Sequence, residues 1–445
     1  TAVGNNALDA NTTASNNTAV GTSALAANTT GAQNTAVGHN ALLVHTTGEG
    51  NSAFGQGALE ANTTASNNTT VGYWSLYSNT TGANNTAVGS NALQVNTTGA
   101  GNNAFGQTCL DANTTGGNNN AMGRGALGAN TTGSSNVANG YEALAANTTA
   151  ANNTGIGYQA LNANTTGTRN AAVGFEGLHR NTTGNDNLAV GYQAGQTNTT
   201  GYGNTSLGAY ALKNASGGYH NVCVGYESGM NMTTGTRNIH IGGRAGRQGS
   251  SAYLNTFVGE LAAYDITTGY NNVAIGNEAG RGVSPSGAIT TAANVVVLGN
   301  NSIGALYCAD TSISSSDQRD KADIVNFTAG LSFVNQMRPI TYRWDKRSWY
   351  AGDNPSTQDI LDAVPDGTHK KTKQHIGFLS QEIEILEKEI GFATDKDSML
   401  VCNMNEDDTA MGLKYERLVP ILVNAIQELS AKNEALLARI ITLEG

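Results

Sequence analysis

Along most of the chain a polar residue, a small residue, a larger apolar residue and a glycine recur in that order every seventeen positions. Thr1-Ala2-Val3-Gly4 returns as Thr18 to Gly21 and Thr35 to Gly38, then as Ser52-Ala53-Phe54-Gly55. The glycine stays in phase through Gly72, Gly140, Gly208 and Gly276, so 17 copies of a 17-residue unit follow one another without a slip. The unit reads T-A-V-G-x-x-A-L-x-A-N-T-T-G-x-N-N. Its third position is apolar in every copy except at Asn139, and its eighth is Leu from Leu8 to Leu178, then Gly195, Leu212, Gly229 and Gly246. A short β-branched segment, a glycine turn, a second short apolar segment and an Asn-Thr-Thr-Gly turn predict one coil of a β-solenoid. The valine and leucine columns are expected to fill the interior, with Asn and Thr outside or in the turns. So much Gly, Asn and Thr disfavours a helical repeat. At about 4.8 Å per coil the array predicts a rod of roughly 80 Å. Its core is thin per coil, which argues for several chains packed around an axis.

The period slips after Gly276 at Ser284-Pro285-Ser286-Gly287, and a last coil-like run, Asn294 to Gly299, follows. From about Ser312 the content of Lys, Arg, Asp and Glu becomes ordinary, which marks a different kind of domain. Ile324, Val325, Phe327, Leu331, Phe333, Val334 and Met337 recur at roughly helical spacing before Pro339. Ile340 to Trp344 alternates like a strand, and 346–373 reads as a long loop or excursion. At the C-terminus Ile426, Asn433 and Ile440 occupy heptad position a, while Leu422, Leu429, Leu436 and Leu443 occupy d. This is the pattern of a short parallel coiled coil with one polar a residue; an amphipathic helix docked on its own domain is the alternative. The expected fold is mainly β: solenoid repeats over 1–289, a terminal coil and junction over 290–311, an α+β domain over 312–421 and a coiled-coil helix over 422–445.

Composition narrows the function classes. The net charge of -10 leaves no basic reserve for neutralising phosphates, so nucleic acid is not an expected partner. Cys109, Cys223, Cys308 and Cys402 have no paired spacing, so neither a disulfide framework nor a metal site is expected. No apolar run reaches the roughly 20 residues that span a bilayer, so membrane insertion is not expected either. The chain begins mid-pattern at Thr1, which reads as a fragment or a processed product. Glu142, Glu176, Glu227 and Glu260 stand in different coils and form no obvious paired-carboxylate cleft. No cofactor is implied.

The junction carries Ser314-Ser315-Ser316-Asp317-Gln318-Arg319-Asp320-Lys321, followed by Ala322-Asp323-Ile324. Further on stand Leu331 to Tyr342, His375 to Ile383, Tyr415 to Pro420 and Ala425 to Leu429. From about Ser312 to Glu434 these stretches resemble the intramolecular chaperone domain of phage tail fibres, tailspikes and endosialidases, the auto-cleaving peptidase S74 family. The array resembles, more generically, the stacked repeats of trimeric fibre and adhesin heads.

The resemblance implies a homotrimer whose C-terminal domain nucleates assembly and is then released by cleavage between Ser315 and Ser316. Ser316 would be the nucleophile and Lys321 its base. Asp317 and Arg319 match the family pattern as positioning residues, whereas Asp320 stands where a bulky apolar residue is usual. His375 reads equally as support for catalysis or as a packed residue. A serine hydroxyl needs a base, and a lysine serves as one when burial lowers its pKa. The implied setting is a virion tail assembled in the host cytoplasm, with other tail proteins and a bacterial surface receptor, a glycan, as partners. A cellular trimeric adhesin and a glycan-depolymerising tailspike are the alternatives.

Overall fold

A computed structural model describes residues 1–303, 322–352, 356–405 and 408–444. The chain divides into two compact units, Thr1–Asn277 with Thr290–Val296, and Glu278–Ile289 with Val297–Gly445. In the first, seventeen short strands from Ala2–Val3 to Val273–Ile275 stack as one parallel sheet. Each pairs with its neighbour at an offset of seventeen residues, as in Ala19↔Ala36 and Val20↔Val37. The chain is therefore a β-solenoid of 17-residue coils.

The facing of the columns differs from the expectation. Successive strand residues point to opposite sides, and it is the central Ala that turns inward: Ala19, Ala36 and Ala53 are fully buried. The third-position valines turn outward, with Val20, Phe54, Val71 and Met122 exposed at 36%, 40%, 43% and 49%. In the coils that carry leucine at the eighth position the strand centre holds only small residues, mostly alanine, and the leucine column fills the rest of the interior. Leu25, Leu42 and Leu59 are completely buried. The asparagines stand at the turns, one of the two places expected, but they face inward: Asn28 and Asn34 and their equivalents up the stack are buried.

These asparagines satisfy the turn backbone. Asn34 Nδ2 donates to Gly48 O at 2.9 Å, and its Oδ1 accepts the backbone N–H of Asn51 at 2.9 Å. In the second column Asn96 Nδ2 donates to Asn79 Oδ1 at 2.8 Å and to Gly99 O at 2.9 Å. Buried backbone groups must be paired, and the two columns do this together: Gly99 O accepts from Asn85 Nδ2 as well as from Asn96 Nδ2, each at 2.9 Å. Where His45 replaces Asn in that column, its Nε2 lies 2.8 Å from Gly48 O and Asn62 Nδ2 lies 2.9 Å from its Nδ1. A neutral imidazole with the proton on Nε2 thus does the same work.

The period of the glycine has a steric cause. Gly4 and Gly21 have φ near +135°, and a Cβ on Gly4 would come within 2.5 Å of Gly21 O. The leucine column also sits at positive φ, 54° at Leu8 and 49° at Leu25, a conformation that costs roughly 1–2 kcal/mol. Full burial of the side chain, about 1.5–3 kcal/mol, offsets that. Gly229 and Gly246 occupy the same conformation freely, and the volume they vacate is taken by Cys223 and His240 from the strand centre; a Cβ on Gly229 would meet the Cys223 sulfur at 2.6 Å.

The stack continues past the Ser284-Pro285-Ser286-Gly287 insertion. Thr267 Oγ1 donates to Thr290 O and Asn271 Nδ2 to Asn294 Oδ1, both at a separation of 23 residues in place of 17. Six extra residues are thus accommodated without loss of register.

The second unit is α+β. Its helices are α1 (Leu331–Gln336), α2 (Thr357–Asp362), α3 (Ser380–Glu389) and α4 (Leu418–Glu444), and two antiparallel pairs join Ile340–Tyr342 to His375–Gly377 and Cys402–Met404 to Met411–Leu413. Phe333, Ile383, Leu386, Val401, Leu418 and Ile421 form its core. The apolar run from Ile324 is helical only after Gly330, where a Cβ would strike the Glu428 carboxylate; Ile324 and Val325 are exposed in irregular chain. The excursion is partly built: Ser356 and Asp359 close a capping box on α2. Tyr350 Oη holds Asp345 Oδ1 at 2.6 Å and accepts the His369 N–H at 2.9 Å. Among the described residues no helix is long and apolar enough to cross a membrane.

Candidate functional site

Ser316 and Lys321 lie outside the described residues, as do Asp317, Arg319, Asp320 and Cys308. What the structure describes is the domain that follows them. His375 pairs in register with Tyr342 across the first antiparallel pair, and its ring stacks on Tyr342 at 5.5 Å with Trp344 at 6.4 Å. Tyr415 Oη closes this cluster from the other side by accepting the Phe378 N–H at 3.3 Å. His375 is therefore a member of an aromatic cluster. Burial, and secondarily Tyr415, holds the Tyr342 phenol above its usual range.

A buried carboxylate organises the centre of the domain. Glu387, on the last turn of α3, accepts the backbone N–H groups of Val401 and Cys402 through Oε1. It thereby pins the Cys402–Met404 strand to the helix, and its Oε2 is buried without a partner. The adjacent Cys402 thiol donates to Ser380 O at 3.3 Å. Burial first, then the Glu387 and Glu384 carboxylates, pushes that thiol up to about 12, so it is an inert core group rather than a nucleophile. Nothing in the sequence around Glu387 marks this role, since it looks like any helical glutamate.

Helix α4 enters the domain by its first turns only. Asn424 Nδ2 donates to Phe327 O at 2.7 Å, and Glu428 Oε2 accepts the Leu331 N–H at 3.1 Å. Leu418, Ile421 and Ala425 are buried there. Beyond them the heptad side chains have nothing against them: exposure runs from 48% at Leu429 and Ile440 to 82% at Leu443.

The solenoid carries two outward features. One is the third-position file, which continues through Val173, Val190, Ile241 and Ile275 and is a longer apolar stripe than a lone soluble chain ordinarily presents. The other is a run of stacked rings at the fifth position. Tyr141, Tyr158, Phe175 and Tyr192 follow one another at centroid distances of 5.3, 5.1 and 5.1 Å, within 10° of parallel.

Residues 316–391 match the family model described as the chaperone of endosialidase, a peptidase S74 domain. Comparisons with curated proteins and with solved structures returned no match. A C-terminal S74-like chaperone domain thus follows a β-solenoid repeat region. The match opens on Ser316 and runs through both the Tyr342 and His375 strands to the end of α3.

Proposed function

We propose that this chain is the subunit of a homotrimeric phage tail fibre or spike, whose domain over 312–421 and helix over 422–445 nucleate assembly and are then cut away. The observation that carries the reading is the S74 match opening at Ser316. Two unpartnered apolar surfaces support it: the heptad stripe of α4 and the outward file of the solenoid. Identical parallel chains satisfy both, because a heptad seam and a file of like residues are self-complementary.

The chemistry proposed for the junction uses one chain. Lys321 Nζ takes the proton of Ser316 Oγ, and the oxygen attacks the carbonyl carbon of Ser315. Collapse breaks the Ser315–Ser316 amide, and the proton passes to the leaving nitrogen. The Ser315 acyl group is left as an ester on Ser316 Oγ. Water hydrolyses that ester, giving a Ser315 carboxylate and a new N-terminal amine on Ser316. Nucleophile and scissile bond belong to the same chain, so the reaction runs once.

Intact mass under denaturing conditions tests this. The wild-type chain is expected as two fragments meeting at Ser315/Ser316, and Ser316→Ala and Lys321→Ala as whole chains. A wild type and a Ser316→Ala variant giving the same products would remove Ser316 from this role.

The fibre in turn belongs to a virion tail put together in the host cytoplasm. Its remaining partners are other tail proteins and a glycan receptor on the bacterial surface.

A further inference from the structure

The fifth and sixth positions of the coil turn outward, so the core places no demand on them. In the first eight coils they hold mixed residues; the pair Tyr73 and Trp74 stacks at 4.7 Å within one coil and is followed by Ser90 and Asn91 in the next. In coils nine to twelve the same two positions read Tyr-Glu, Tyr-Gln, Phe-Glu and Tyr-Gln. Four consecutive coils thus share an aromatic residue beside an acid or amide, although neither packing nor register requires it.

The geometry of this block is that of one continuous strip. The four rings stack as described above and stay between 37% and 44% exposed. Beside them the polar file is internally fixed: Gln159 Nε2 donates to Glu142 Oε2 at 2.8 Å, Gln193 Nε2 to Glu176 Oε2 at 2.8 Å. Gln196 holds Glu176 from a further turn at 2.5 Å. The carboxylates and amides are thereby held in place before any ligand arrives, which lowers the entropic cost of binding. The ends are marked as well. The Arg124 guanidinium lies 5.9 Å from the Tyr141 ring centroid, and Tyr210 meets Tyr192 edge-on at 5.3 Å.

We infer that this strip, Tyr141–Tyr158–Phe175–Tyr192 with the Glu142 and Glu176 carboxylates, binds a neutral polysaccharide laid along the solenoid axis. The stacked rings cover one another's faces and present their edges as an apolar ridge along the axis, against which the C–H groups of a sugar chain can pack, and fixed acid and amide groups offer acceptors and donors to its hydroxyls. The rise of one coil per ring lets a polymer of repeating sugars make like contacts at successive levels. Charge selects within the class: the eight residues of the strip include two carboxylates and no cation, which opposes a polyanionic glycan. The inference rests on the attachment role proposed above and assigns that role a place on the chain.

The test uses the full-length chain on a printed array of neutral bacterial polysaccharides beside hyaluronan as the anionic probe, with light scattering on the same sample. Expected is binding to a neutral polysaccharide, none to hyaluronan, and at least a ten-fold loss for Tyr158→Ser with Phe175→Ser, the loss of about 1.4 kcal/mol. Thermal melting of the variant should match wild type, since both rings lie outside the core. Binding to no neutral polysaccharide, a preference for hyaluronan, or binding that the double variant leaves unchanged overturns the strip. A monomeric mass in the scattering measurement would instead overturn the fibre reading, so the two failures are distinguishable.

Discussion

His240 occupies the strand-centre position that most coils give to alanine, and shows how a single residue can set a pH limit on the stack. Its ring is completely buried, stacks on Phe257 at 4.9 Å and has no hydrogen-bond partner on either nitrogen. Burial alone pushes it down to about 3 from an ordinary 6.5. The unfolded chain therefore takes up a proton below about pH 6.5, which the folded chain refuses until near pH 3. The stability it contributes is complete above 6.5 and is lost as the pH falls, by about 1.4 kcal/mol per pH unit in that window. His45 is lowered in the same direction, again first by burial. The expected outcome is a solenoid whose urea midpoint falls between pH 6.5 and 4, with a visibly shallower fall in His240→Phe. An unchanged slope in that variant would remove His240 as the cause. At this scale the sequence was only partly legible. The period, the glycine column and the leucine column could be read directly. The outward facing of Val20 and the inward facing of Asn34 could not, because a residue's hydrophobicity says nothing of how narrow the interior is or which turn carbonyls need a donor.

The coil is the unit in which those residues act together, and its amide ladder should be the most sensitive part. Asn119 illustrates the coupling: its backbone N–H donates to Asn102 Oδ1 at 3.0 Å, its Nδ2 donates to Gly133 O at 2.9 Å, and its Oδ1 accepts the Asn136 N–H at 3.0 Å. Asn119→Ala would strand the Asn136 N–H in a dry interior, at about 1–3 kcal/mol for an unsatisfied group, and would leave the Gly133 carbonyl with Asn130 Nδ2, at 3.0 Å, as its side-chain donor. A loss of roughly 1–3 kcal/mol is expected, with hydrogen exchange accelerated first in the coils on either side. Protection that falls uniformly along the array would contradict a ladder built from neighbour contacts. In the C-terminal unit the elements were less legible. The strand at Ile340–Tyr342 and the long α4 matched their patterns, but α1 is cut short by Gly330 and its contact with Glu428. That is a tertiary constraint absent from local periodicity. The Ser356–Asp359 capping box was present in the sequence as Ser-Thr-Gln-Asp and was hidden only by the polar composition around it.

For the molecule as a whole, the central question is how identical coils find their register. A slip of seventeen residues superimposes nearly the same side chains, so the array by itself discriminates weakly among staggered pairings. In the proposed assembly the non-repetitive C-terminal unit would supply what the array lacks, and its exposed heptad stripe would be where the chains meet first. Zipping of the outward Val, Phe and Ile file would follow from that end, and removal of the nucleus afterwards would make the assembly kinetically irreversible. The processing role proposed for Ser316 and Lys321 rests at this scale on the family likeness, since alone they are a hydroxyl and a charge in a polar linker. Sedimentation of the uncleaved Ser316→Ala chain across a range of concentrations tests the account most directly. Three times the 45.8 kDa chain mass, held on dilution, is the result expected. A stable particle of a single chain would contradict it, leaving both apolar surfaces without the partner the account assigns them.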